Sequence, residues 1–123
     1  MGERFPRSSR IPAKAGFDRC YRLGRRRGGA LFTLHAAAGE GTASRLGVSA
    51  ARAVGGSVTR HRLKRWCREC FRRSGLPGGA NPWDIVVHLK PAAASADFAV
   101  FRAEFERCFA ELRPVPPAGN VSR

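Results

Sequence analysis

The chain has 123 residues, room for one ordinary domain, and 43% of them are hydrophobic, enough to bury a core without disulfide staples. Lys and Arg total 23 against 9 Asp and Glu, a formal charge of +14; so large an excess repels itself and calls for a polyanion, nucleic acid first and an anionic membrane second. The lack of any run of about 18 apolar residues excludes a transmembrane helix, and the N-terminus lacks the apolar centre of a secretory signal, so a cytoplasmic chain with reduced cysteines is expected.

Residues 1–13 include Pro6 and Pro12, show no hydrophobic period, and are expected to form a flexible basic arm. From Lys14 to Leu23 the spacing predicts a short helix, with Phe17, Cys20, Tyr21 and Leu23 on one stripe and Gly24 as its stop. A basic run, Arg25-Arg26-Arg27 with Gly28 and Gly29, follows. "ALFTLHA", Ala30 to Ala36, predicts a strand. After a turn through "AAGEGTAS", a second strand from Arg45 to Ala50 alternates Leu46, Val48 and Ala50 on one face with Arg45, Gly47 and Ser49 on the other. Beyond a Gly-Gly break, Ser57 or Thr59 is expected to cap a helix from Val58 to Arg73. The loop "SGLPGGANP" precedes a β-branched strand, Trp83 to Lys90, ended by Pro91. A last helix, Ser95 to Leu112, gathers Phe98, Phe101, Phe105, Cys108, Phe109 and Leu112 on one side, and residues 113–123 are expected to be a disordered Pro-rich tail. This order predicts an α+β sandwich of helices packed on a small sheet, with residues 14–112 as the one domain.

The middle helix carries the most information. Leu63, Trp66, Cys67, Cys70 and Phe71 fall at i, i+3, i+4, i+7 and i+8, the inward stripe of an amphipathic helix. His61, Lys64, Arg65, Arg68 and Arg72 gather opposite, with Arg60 and Arg62 on the flanks, and only Glu69 breaks the positive charge. A solvated helix face mixes signs, so an anion is the better explanation, and guanidinium forks match phosphate oxygens. The same segment spells Trp66-Cys67-Arg68-Glu69-Cys70, a C-x-x-C. A redox cysteine wants a helix N-terminus, yet Cys67 lies about two turns inside. Zinc wants a second pair, but Cys20 and Cys108 stand alone and His35, His61 and His88 lack ligand spacing. Core packing is therefore expected for the cysteines, with redox or zinc chemistry the distant alternative, and Trp66 and Trp83 are expected as core or sheet anchors.

"RLGVSAARAVGGSVTRHRLKRWCRECFR", Arg45 to Arg72, resembles the signature of the bacterial ribonuclease P protein component, in which an Arg-Asn-Arg triplet is followed on the same helix by Lys-Arg and a further Arg. Arg60, Arg62, Lys64, Arg65 and Arg68 match that pattern; His61 replaces its usual Asn, and Gly56 stands where the family often has another. Phe17 and Tyr21 match a paired aromatic spacing, and "LFTLH" and "WDIVVHLKP" match two strands, so the resemblance covers Gly16 to Leu112.

The resemblance implies a two-layer sandwich with a small, mostly antiparallel sheet and a left-handed βαβ crossover holding the basic helix. It implies a subunit of the ribonucleoprotein that removes the 5′ leader of precursor tRNA. There the RNA and substrate bind the catalytic Mg²⁺, and the protein supplies neither catalytic residue nor metal ligand. The sequence agrees in showing no carboxylate cluster suited to two-metal cleavage. Arg60, His61, Arg62, Lys64, Arg65, Arg68 and Arg72 are then expected on the phosphates of the catalytic RNA. Phe17, Tyr21, Phe32, Arg45, Ser49 and Arg52 are expected to line a cleft for the single-stranded leader. The expected partners are ribonuclease P RNA and precursor tRNA, with no membrane and no protein partner required. A general RNA-binding or ribosome-associated module without a role in cleavage is the alternative, since phosphate contacts carry no sequence information.

Overall fold

The computed structural model describes residues 10–11, 14–39, 44–74 and 82–112. In chain order they form α1 (Lys14–Leu23), β1 (Arg25–Gly28), β2 (Phe32–Ala38), β3 (Arg45–Ser49), α2 (Ser57–Arg73), β4 (Trp83–Leu89) and α3 (Phe98–Leu112), with short 3₁₀ turns at Arg52–Val54 and Pro91–Ser95. The fold is α+β, its sheet ordered β1-β2-β4-β3. β1 with β2 and β2 with β4 run antiparallel, whereas β3 and β4 run parallel. Parallel neighbours cannot be joined by a tight turn, and α2 is the crossover that joins them.

Alternation along each strand divides the apolar residues between two faces. Phe32 and Leu34 of β2, Leu46 of β3, and Ile85, Val87 and Leu89 of β4 meet α2 and α3 in the main core, which includes Leu63, Cys67, Phe71, Phe101 and Phe105. Phe32 is wholly buried there, with ring centroids 5.0 Å from Phe101 and 6.2 Å from Phe105. Each such ring contributes about 1.5–3 kcal/mol on burial. On the other face a smaller cluster of Ile11, Cys20, Ala37 and Val86, with Phe17 packed against it, seats α1. Gly47 permits that approach: a Cβ there would lie 2.5 Å from Cζ of Phe17.

Several boundaries differ from the sequence expectations for physical reasons. The run Arg25 to Gly28 is a strand, paired with β2 from Arg25 opposite Ala36 to Gly28 opposite Thr33; an arginine-rich edge strand resists pairing with other chains. β2 starts and ends two residues later than predicted. The cap of α2 is Gly56, with no side-chain capping bond, because Ser57 is already helical and the Gly56 carbonyl accepts the Arg60 N–H at 2.9 Å. α3 starts at Phe98, after the 3₁₀ turn, where Oδ1 of Asp97 accepts the Val100 N–H at 3.1 Å as an N-cap does. The expectation of a free arm through residue 13 fails at Arg10 and Ile11: Ile11 is buried, its N–H donates to the Leu46 carbonyl at 3.0 Å, and the pair lies along the edge of β3. The expectations for residues 1–9 and 113–123, most of the loop before β4, and the Leu112 side chain lie outside the described residues.

Candidate nucleic-acid interface

With Leu63, Cys67, Cys70 and Phe71 turned inward, α2 presents its cations to solvent. His61 and Arg65 are exposed on the crest, and Arg60, Lys64 and Arg68, four residues apart, form a half-buried shoulder beside it. The Arg68 guanidinium is held below its ordinary pKa by burial and then by the charge of Arg10. That places the end of the N-terminal segment in the same positive field. Arg62 donates from Nη2 to the Ala94 carbonyl at 3.0 Å and lies 5.3 Å over the Trp66 ring. Among the described residues the Nε atoms of Arg60 and Arg62 are buried without a hydrogen-bond partner, a cost to the free protein. Arg72 is already engaged, its Nη2 donating to Oε2 of Glu69 at 2.6 Å, and Arg73 holds the same carboxylate. Hydrogen bonds from Arg72 and then Arg73 keep Glu69 below the usual carboxylate range.

The cysteines face away from this chemistry. All four are free thiols and all are buried. Burial pushes Cys70 up to about 12 and Cys20 up to about 11, and raises Cys67 further. Thiols that hold their protons so firmly are poor nucleophiles and poor ligands. Among the described residues no group of three or more His, Cys, Asp or Glu is arranged to hold a metal ion, and no helix is long and apolar enough to cross a membrane.

The second surface lies between α1 and the opposite face of the sheet. Tyr21, 40% exposed, stands edge-on to His35 with ring centroids 4.7 Å apart, and 6.4 Å from His88. One turn earlier, Phe17 is half-buried over Gly47. Arg45 donates from Nε to Oδ1 of Asp84 at 3.0 Å and from Nη2 to Oδ2 at 2.8 Å, while Arg19 donates from Nη1 to Oδ2 at 3.1 Å. Asp84 is fully buried, so two cations are fixed between α1 and the sheet by one carboxylate. Ser49 is the register partner of His88 on the same face, and Arg52 is exposed on the 3₁₀ turn beyond it.

Phe32 does not belong to this cleft. It points into the main core with Leu34, and its neighbours Thr33 and His35 point the other way. His35 and His88 are the residues that sequence reasoning missed. The signal was the alternation itself: once Phe32 and Leu34 are taken as core, His35 must face α1. Burial, and then the charges of Arg26 and His88, keep the His35 imidazole below its ordinary pKa.

A family model described as Ribonuclease P matches residues 5–113. The ribonuclease P protein component of a Nocardioides species is 38% identical over 104 residues, covering 80% of this chain and 86% of its own. That of Thioalkalivibrio sulfidiphilus is 35% identical over 111 residues, covering 88% and 89%. Among solved structures, the RNase P protein from Thermotoga maritima superposes with a TM-score of 0.70 at 26% identity, covering 86% of this chain and 96% of its own.

Proposed function

The chain belongs to the ribonuclease P protein family, and from that premise we propose how its two faces divide the work. As a member it is the protein subunit of ribonuclease P, the ribonucleoprotein that matures tRNA 5′ ends, and its partner is ribonuclease P RNA. In our reading α2 grips that RNA: Arg60, Arg62, Lys64, Arg65 and Arg68 take phosphates, His61 sits among them on the crest, and Arg72 borders the grip while staying paired with Glu69. The observation that supports this reading is the one-sided positive face of α2, with Arg60, Lys64 and Arg68 along its shoulder and His61 and Arg65 on its crest.

The cleft between α1 and the sheet takes the other RNA, the leader of precursor tRNA. Tyr21 and the adjoining His35 and His88 rings offer stacking surfaces for unpaired bases. Phe17 supports the Tyr21 helix, Arg45 supplies positive charge from the cleft floor, and Ser49 and Arg52 continue the path along β3. The protein thereby holds substrate against the catalytic RNA and works in the cytoplasm without a further protein partner. We assign the Mg²⁺ of the reaction to the RNA and substrate. Bound there, Mg²⁺ supplies Lewis-acid chemistry and an activated water.

The test compares precursor tRNA carrying its leader with mature tRNA, each titrated onto the reconstituted particle. Tyr21→Ala is expected to weaken binding of the leader-bearing substrate by about 1–3 kcal/mol, the value of one stacked base, and to leave mature tRNA unaffected. An equal loss on both substrates, or none on either, removes the cleft assignment. A general RNA-binding module predicts that second pattern.

A further inference from the structure

We propose that the groove between α2 and α3 seats an unpaired, amino-bearing nucleobase of the bound RNA, stacked on Trp66 with Phe98 against its edge and recognised by Glu69. The proposal rests on the reading that α2 grips RNA. The groove is lined by Arg65, Trp66, Glu69 and Phe98. The two rings are half-buried, with centroids 5.6 Å apart and planes inclined at 56°. Trp66 is backed from within by Phe101, also at 5.6 Å.

Each ring is also attended by a guanidinium, Arg62 at 5.3 Å from Trp66 and Arg73 at 6.0 Å from Phe98. An aromatic floor under a cationic rim fits a flat, π-rich group tied to an anion, which describes a nucleotide. Arg65, exposed at the mouth, reaches the adjoining phosphate.

Glu69 decides which part of the nucleotide enters. Held ionised by Arg72 and Arg73, its carboxylate only accepts hydrogen bonds and repels phosphate. Adenine, cytosine and guanine each carry an exocyclic amino group to donate, and uracil carries none. The groove therefore admits a base rather than a phosphate, and favours an amino-bearing one. It opens beside the crest that RNA must cover, so no separate partner is needed to deliver the base.

The chain holds two tryptophans, and Trp83 is buried in the core, so Trp83→Phe leaves Trp66 as the only indole emitter. That variant is titrated at low salt with labelled oligoadenylate, oligouridylate and an RNA duplex, following both RNA anisotropy and tryptophan emission. All three are expected to bind, with oligoadenylate quenching Trp66 strongly, oligouridylate less, and duplex hardly at all. Trp66→Leu is expected to cost oligoadenylate roughly 5- to 150-fold in affinity, the range of one stacked base, and duplex nothing. Glu69→Gln is expected to narrow the difference between adenylate and uridylate.

Binding without quenching, or equal quenching by duplex, overturns the base seat and leaves the α2 grip standing. Failure of every RNA to bind removes the grip and the seat together. If Trp66→Leu does not fold, the quenching pattern of Trp83→Phe decides alone.

Discussion

Asp84 has no exposed surface, and three hydrogen bonds from Arg19 and Arg45 hold its carboxylate in place. Asp84→Asn keeps the shape but removes the charge that both guanidiniums require, and is expected to cost on the order of 3 kcal/mol, measured by urea unfolding. Loss of leader affinity beyond that shared by other destabilised variants would show that Arg45 must be aimed as well as present. Gly47→Ala acts from the other side of the cleft. The added methyl drives Phe17 off the strand, an overpacking expected to cost about 1–3 kcal/mol. At this scale the sequence was ambiguous where a residue's face depends on strand phase. Tyr21 was legible from helical spacing, whereas Phe32 and His35 exchanged roles once β2 was found to run from Phe32. The Asp84 pairing was not legible at all, since it joins residues 39 and 65 positions apart.

Among the elements, α2 was the most legible, because periodicity placed its apolar stripe and charge pattern placed its cations. Its cap was not, because Gly56 has no side chain to announce it. That cap can be improved. Gly56 has a negative φ of −73° and open space around its missing Cβ, so Gly56→Asn is expected to stabilise by about 0.5–1 kcal/mol through capping and a less flexible unfolded chain. Thermal melts should show Tm rising by roughly 2–5 °C. β1 escaped notice for the opposite reason: three consecutive arginines carry no alternation, and only pairing with β2 makes them a strand. The grip of α2 also has an electrostatic signature. If its five matched cations neutralise five phosphates, the log–log salt slope of RNA binding is expected near −3.5, and Arg65→Ala should reduce it by ~0.7. A slope unchanged by that substitution would mean Arg65 meets solvent rather than phosphate.

For the whole molecule, a charge of +14 on 123 residues repels itself and is relieved by a polyanionic partner. Both sheet edges are managed: β1 is strewn with arginine, and Arg10 and Ile11 lie along β3. Near the β3 edge Arg10 also adds its charge to that of Arg68, linking the cleft side to the α2 side. The four buried thiols need no oxidant to complete the fold, so alkylation is expected to be negligible in the native protein and complete after denaturation, as mass spectrometry can count. The fold class was readable from element order and the family from the α2 signature, while the sheet order required the long-range pairings that no local pattern encodes. The central claim, that α2 docks the catalytic RNA so that the cleft can present the leader, is tested most directly by reconstitution. Purified protein is combined with bacterial ribonuclease P RNA, and leader release from precursor tRNA is followed at low Mg²⁺ against RNA alone. Stimulation by the native protein, lost in an Arg60→Ala, Arg65→Ala, Arg68→Ala variant with an unchanged circular dichroism spectrum, is the expected result. Full stimulation by that folded variant would contradict the account.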